Sequence, residues 1–404
     1  IIPDDLQPFM PMLRDLQELS TILKNMRLRR GAIDFDFPEY KVILDPEGVP
    51  LRLEKRERTL AEQIVEESML IANETVSCYL RDSDNPSVYR IHEIPEPERL
   101  DMMRTVLSSF NLPVPDSEHV KPADFQKLLE TTKGTDEAAV VQTIALRSMQ
   151  QARYATANAG HFGLASECYT HFTSPIRRYP DLLVHRLIRQ YQRRGKLREE
   201  EAQQSLSFHT MAANQASSRE RIAVEAERET DDLKKCQYML PFIGQPFEAH
   251  VTGITSFGLF VGLENGIEGL IHISLLTDDT YEFDETSYTL RGQFGGKVYR
   301  LGDAMEVTLA QVNVEKGEID FVPGRYESLE DVQKLMAASS ERRHKRKGSD
   351  NKEEKNKRNW FSGAGGAKKD KKKDKKIRKD KKNSRKNDRK GKNTKVRRNK
   401  KSKK

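Results

Sequence analysis

Within the stretch HFGLASECYTHFTSPIRRYPDLLVHRLIRQY, from His161 to Tyr191, six polar side chains crowd into nine residues: Thr170, His171, Thr173, Ser174, Arg177 and Arg178. Two adjacent guanidiniums on a short polar segment suit a phosphate, because the planar arginine fork binds anionic oxygens bidentately. The same two arginines serve equally well as partners for core carboxylates. A Ser174–His171 nucleophile is a further possibility, but no Asp follows in a triad context. Asp34 and Asp36, two apart in IDFDF, are a second candidate. Such a carboxylate pair suits a divalent ion, and it is also what a solvated strand face looks like. Phe35 lies on the opposite face of that extended segment.

The elements that must hold these residues follow from spacing. Pro175 and Pro180 forbid one continuous helix and impose turn or extended geometry upstream. After Pro180, Asp181 suits the first turn of a helix, and Leu183, Val184, Leu187, Ile188 and Tyr191 recur along one face of it. Residues 1–30 read as a helix through Leu13, Leu16, Leu19, Ile22, Leu23 and Met26, stopping at Gly31. A hairpin over 40–44 and 49–53 turns at DPEG. Thr59 and Glu62 form a capping box ahead of a core helix built on Ile64, Val65, Met69, Ala72, Val76 and Tyr79. Shorter helices are expected over 98–110 and 136–152, and a long one over 199–238. In that last helix Glu225, Glu227 and Arg228 read as solvated or ion-paired.

From residue 241 the pattern changes to short alternating strands, FEAHVTGITSFGLFVGL and its continuation, with Gly253, Gly258 and Gly262 at bends. Roughly five strands in about 80 residues suggest a small Greek-key barrel. Behind it, residues 341–404 hold 32 Lys and Arg against 8 Asp and Glu. That net of +24, in a chain totalling +8, leaves −16 on residues 1–340. Such a cationic block solvates itself and suits nucleic acid, although a solubilising or localising role accounts for it too. Three scattered cysteines, with no Cys-x-x-Cys pair, argue against a disulfide framework or zinc site and suit a reducing cytosol. No signal peptide or membrane-length apolar run is visible, so a cytoplasmic protein is expected. The first residue is Ile rather than Met, as in the C-terminal part of a longer product.

THFTSPIRRYPDLLVHR resembles the signature of the ribonuclease II and ribonuclease R family, exonucleases that digest RNA from its 3' end. VEESMLIANETVSCYL, VYRIHEIPEPERL, LRSMQQARY and AERETDDLKKCQYM agree with it, and SFGLFV followed by GLIHIS is similar to the S1-type RNA-binding barrel. The domain order with a basic tail is similar to the ribonuclease R branch. This resemblance implies an α+β chain: part of an RNB-type catalytic domain over 1–240, an S1-type barrel over 241–325 and a disordered basic tail over 326–404. It implies Arg177 as the catalytic arginine holding the scissile phosphate, with Arg178 as a second phosphate contact or a structural residue. Phe35 becomes either a stacking platform near the RNA 3' end or an ordinary core residue. Phe257, Phe260 and His272 are expected to stack on unpaired bases, at ~1 to 3 kcal/mol each, with Lys297 and Arg300 on phosphates. Partners are single-stranded RNA and, through the tail, the ribosome or structured RNA. The cofactor implied is Mg2+, used as a two-ion centre. Its ligands, an Asp cluster, are expected upstream of residue 1, because Asp4-Asp5, Asp82/Asp84, Asp231-Asp232 and Asp278-Asp279 lack the family pattern. The N-terminal cold-shock-type barrels are expected upstream too. The competing reading is a non-catalytic RNA-binding protein on the same fold.

Overall fold

The structure, a computed structural model, describes residues 7–346 except 109, 111, 113–118, 136, 285 and 286. A short 3-10 turn leads into helix α1 (Met10–Arg30), which ends where Gly31 takes a left-handed φ of 98° and its N–H caps Leu28. The hairpin β1 (Glu39–Leu44) and β2 (Pro50–Arg56) precedes α2 (Leu60–Asp82). The capping box at α2 is present: Thr59 Oγ1 accepts from the Glu62 N–H, and the Glu62 carboxylate accepts from the Thr59 N–H at 2.9 Å.

The α1 and α2 pairing differs from the apolar stripes seen in the sequence. Leu19, Ile22, Met26, Val65 and Tyr79 are exposed, while the buried residues of α2 are Glu67, Asn73, Ser77 and Leu80. The two helices are joined instead by the buried pair Arg27–Glu67, 2.8 Å apart. A buried guanidinium and a buried carboxylate each need a partner, so this pair ties α1 to α2, alongside Arg30–Glu74 nearer the surface.

Beyond α2 come β3 (Tyr89–Ile91), α3 (Pro97–Ser108), α4 (Pro122–Thr132), α5 (Ala138–Ser148) and β4 (Arg153–Ala155), with β3 and β4 paired antiparallel. The helix α4, absent from the sequence reading, buries Phe125 and Leu128. The amphipathic helix expected after Pro180 is α6 (Tyr179–Arg194), with Leu183, Val184, Leu187 and Tyr191 buried. The long helix is α7 (Glu199–Met239).

Strands β5 (Pro246–Thr255), β6 (Gly258–Leu263) and β7 (Glu268–His272) form a meander. Then β8 (Tyr281–Asp284), β9 (Thr289–Gly292) and β10 (Val298–Tyr299) make a separate three-stranded sheet, before β11 (Ala304–Asn313) and β12 (Glu318–Pro323). The barrel closes in the order β11-β12-β7-β6-β5, with β12 parallel to β7, so no barrel strand is left as an open edge. Val251, Ile254, Leu259, Val261, Ile271, Leu309 and Phe321 fill its interior. Gly258 is required where β6 meets β7, since a Cβ there would stand 2.2 Å from the Ile271 carbonyl oxygen.

The region expected as tail from 326 begins with a helix, α8 (Leu329–Arg346). Its buried Val332, with Leu335 and Met336 packed on the core at i, i+3 and i+4, gives it a face to bury despite the charge that follows. Residues 347–404 of the expected tail lie outside the described residues. No helix among the described residues is long and apolar enough to cross a membrane.

Candidate functional site

The arginine turn is held by one carboxylate. Asp181, in the first turn of α6 and fully buried, accepts from the Ser174 backbone N–H at 2.8 Å and from the Arg178 guanidinium at 2.9 and 3.2 Å, all on Oδ2. The Arg178 N–H closes the turn on the Ser174 carbonyl at 3.1 Å. The other Asp181 oxygen, Oδ1, and the Thr173 hydroxyl are buried without a partner among the described residues. With Arg178 turned inward, Ile176 and Arg177 form the crest, and Ile176 is fully exposed. Arg177 is exposed and makes no ion pair or hydrogen bond among the described residues. Of the two sequence candidates, one guanidinium is thus committed to a core carboxylate and one is open to an anion.

A polar layer lies beneath the turn. Asn73 of α2 donates to the Tyr169 hydroxyl and accepts from the Phe172 N–H, both at 2.9 Å. The Tyr154 hydroxyl bonds His171 Nδ1 at 2.8 Å, and Arg90 sits 4.7 Å over the Tyr154 ring while pairing Glu220 of α7 at 2.6 Å. Burial first, then the charges of Arg178 and Arg90, lower the His171 pKa to about 2, so the ring is neutral. Burial also lowers that of His161 to about 3. His171 is therefore engaged by Tyr154 within this layer, as a structural acceptor or donor. Asn73, Arg90, Tyr154 and Glu220 were not among the sequence candidates. Asn73 alone carries a local signal, a polar residue at a helix position that spacing assigns to the interior.

Phe35 is partly buried, packed against the main core and stacked on Phe37 with centroids 5.7 Å apart. Asp34 is engaged by cations, Arg58 at 3.6 Å and Lys24 at 4.0 Å, and the Asp36 N–H donates to Gln142. No group of three or more His, Cys, Asp or Glu able to hold a metal occurs among the described residues. The residues present do not fit a two-ion centre.

On the barrel, Phe257 and Phe260 stand edge to face at 5.9 Å. The register pairs Phe260 with Leu270 and Gly258 with His272, so Phe260, Leu270 and His272 share one face of β6 and β7. All three expected stacking residues are half-buried. His272 Nδ1 bonds the Ser274 hydroxyl at 2.8 Å, and that hydroxyl also meets Ser339 of α8. Lys297 and Arg300 flank β10 in the separate sheet. Lys297 pairs with Asp278 at 3.1 Å and lies 4.8 Å over the Tyr299 ring, while the Arg300 side chain is exposed. The structure thus gathers the aromatic trio and leaves the two cations apart from them, on another sheet.

The sequence matches two family models, an RNB domain over residues 4–194 and an S1 RNA binding domain over residues 240–322. It is 43% identical over 312 residues to ribonuclease R of Aquifex aeolicus, covering 76% of this chain and 44% of that protein. To ribonuclease R of Escherichia coli it is 37% identical over 321 residues, covering 78% and 40%. The structure resembles that of Mycoplasma genitalium ribonuclease R solved with ribose-methylated single-stranded RNA, with a TM-score of 0.74 at 27% identity, covering 78% of this chain and 50% of that one. The chain therefore spans less than half the length of these curated relatives. Its arginine turn lies inside the RNB match and its aromatic strand face inside the S1 match, and the chain belongs to the RNB family of ribonucleases, with an S1 RNA-binding domain behind its RNB domain.

Proposed function

We propose that the chain supplies the RNA-binding and phosphate-positioning part of a ribonuclease R-like exoribonuclease that shortens RNA from its 3' end and releases nucleoside 5'-monophosphates. The observation that carries this reading is the Asp181 clamp, which draws Arg178 inward and leaves Arg177 exposed at the crest of the turn, with no partner among the described residues. An arginine presented in this way binds a phosphodiester and stabilises charge that develops on its oxygens during hydrolysis. Arg178 acts through the turn's geometry. Phe257, Phe260 and His272 contact unpaired bases, Phe35 contributes through its stacked pair, and Lys297 and Arg300 add phosphate contacts from the separate sheet beside β10. On this reading residues 1–240 serve the catalytic domain and 241–325 the barrel, while the cationic residues beyond hold RNA, in the ribosome or free, by charge.

A divalent metal, Mg2+ by the family resemblance, would supply an activated water if bound. No carboxylate group that would hold it occurs among the described residues, and the role of these residues is to bind the strand and place the scissile phosphate. The test gives 5'-labelled single-stranded RNA, with Mg2+ or EDTA, to this chain and to a version extended upstream by the rest of an RNB domain. The reading expects binding by both and metal-dependent 3' shortening by the longer protein alone. Binding without shortening by both replaces it with a non-catalytic RNA-binding protein.

A further inference from the structure

Cys78 of α2 and Cys168, 90 residues apart in sequence, bring their sulfurs to 2.8 Å. A disulfide needs a sulfur separation of about 2.05 Å, so closure requires a movement of only about 0.8 Å. Both cysteines are free thiols; Cys78 is half-exposed and Cys168 buried. Burial pushes the Cys168 thiol up to about 11. The Arg81 guanidinium, one helical turn beyond Cys78, stands 3.7 Å from the Cys168 sulfur and opposes that shift, since a cation beside a thiol favours the nucleophilic thiolate. We propose that this pair is an oxidative modification site, where a peroxide converts Cys78 and Cys168 to a reversible disulfide that ties α2 to the segment entering the arginine turn.

The accessible Cys78 reacts first. Its sulfur attacks one peroxide oxygen, the O–O bond breaks, the departing hydroxide takes up a proton as water, and Cys78 becomes a sulfenic acid. The Cys168 sulfur then attacks the Cys78 sulfur. The S–S bond forms as the hydroxyl leaves with the Cys168 proton as a second water. Two thiols have lost two electrons and two protons, and hydrogen peroxide has been reduced to two waters. Asn73 already holds Tyr169 and Phe172 to α2, so the new bond reinforces an existing contact and leaves the turn in place.

The test treats the full chain with hydrogen peroxide, in native buffer and in unfolding urea, then blocks remaining thiols and maps peptides without reduction. The expected product links the Cys78 and Cys168 peptides, lighter than the two thiol peptides by two hydrogen atoms, with Cys236 still blocked. Its formation in native buffer is faster than in urea by at least about tenfold, because the fold supplies the proximity. The thermal midpoint rises by about 5 °C and returns on reduction, since the bond closes a loop of 90 residues in the unfolded chain. Cys78→Ser keeps the unoxidised midpoint near that of the parent and loses the peroxide-dependent rise. Equal rates in both solvents, linkage through Cys236, or oxidation of Cys78 to a sulfinic acid with Cys168 still free overturns the proposal.

Discussion

Asp181 and Arg178 form an ion pair at 2.9 Å in which the carboxylate is fully buried and the guanidinium is 18% exposed. The same carboxylate oxygen holds the Ser174 N–H, so one side chain fixes both ends of the turn that carries Arg177. Asp181→Ala leaves a largely buried guanidinium and a partly buried N–H without this acceptor. The expected loss is about 3–5 kcal/mol of unfolding free energy, measured by urea denaturation. A loss below about 1 kcal/mol shows that the turn does not depend on this carboxylate.

Arg177 occupies the opposite situation, and its substitution separates binding from folding. Arg177→Gln removes an exposed charge with no partner among the described residues, so stability changes by less than about 0.5 kcal/mol. Single-stranded RNA binding weakens by about 1.5–3 kcal/mol, the worth of a charged hydrogen bond to phosphate. Fluorescence anisotropy with labelled RNA checks the second number, and unchanged affinity removes Arg177 from the RNA path.

The neutral histidines under the turn make stability depend on acid. His161 and His171 are held near pKa values of about 3 and 2 by burial, against about 6.5 in the unfolded chain. Between those limits the unfolded state binds more protons than the folded one, so their contribution is present above about pH 6.5 and is lost as pH falls toward 3. Each contributes at most about 1.4 kcal/mol per pH unit in that window. His171→Asn flattens the slope of unfolding free energy against pH between 6.5 and 4.5. An unchanged slope places the titration elsewhere.

The turn was legible in the sequence because prolines and helix spacing act locally. Pro175 and Pro180 bracket it, and the Asp181–Arg178 pair lies at i, i+3. The assignment of roles inside it was less legible, since either arginine matches a carboxylate equally well until a buried one is seen. Asn73 shows why the supporting layer escaped: its two partners, Tyr169 and Phe172, lie 96 and 99 residues away, beyond any local spacing. The apolar faces of α1 and α2 misled for a related reason, because the buried contact between them is the Arg27–Glu67 ion pair, whose partners lie 40 residues apart. The helix α8 did leave a signal, Val332, Leu335 and Met336, but the basic block after it dominates the composition.

The barrel face and the cationic segment bind RNA by different physics, and salt separates them. Phe260 shares a strand face with His272, and stacking on such rings depends little on ionic strength. Phe260→Leu keeps an apolar side chain in a half-buried position while removing the flat ring. Its affinity for single-stranded RNA falls by the ~1 to 3 kcal/mol of one stacked base, with the slope of log affinity against log salt unchanged. Removal of residues 347–404, most of a segment with a net charge of +24, does the reverse. Every phosphate that the truncated chain no longer neutralises reduces the steepness by about 0.7 for a single strand, so the slope flattens and affinity at low salt falls most. The two variants are compared by titrating one labelled RNA across a range of potassium chloride. If Phe260→Leu flattens the slope as the truncation does, the ring's effect runs through phosphate neutralisation and stacking on the barrel is rejected.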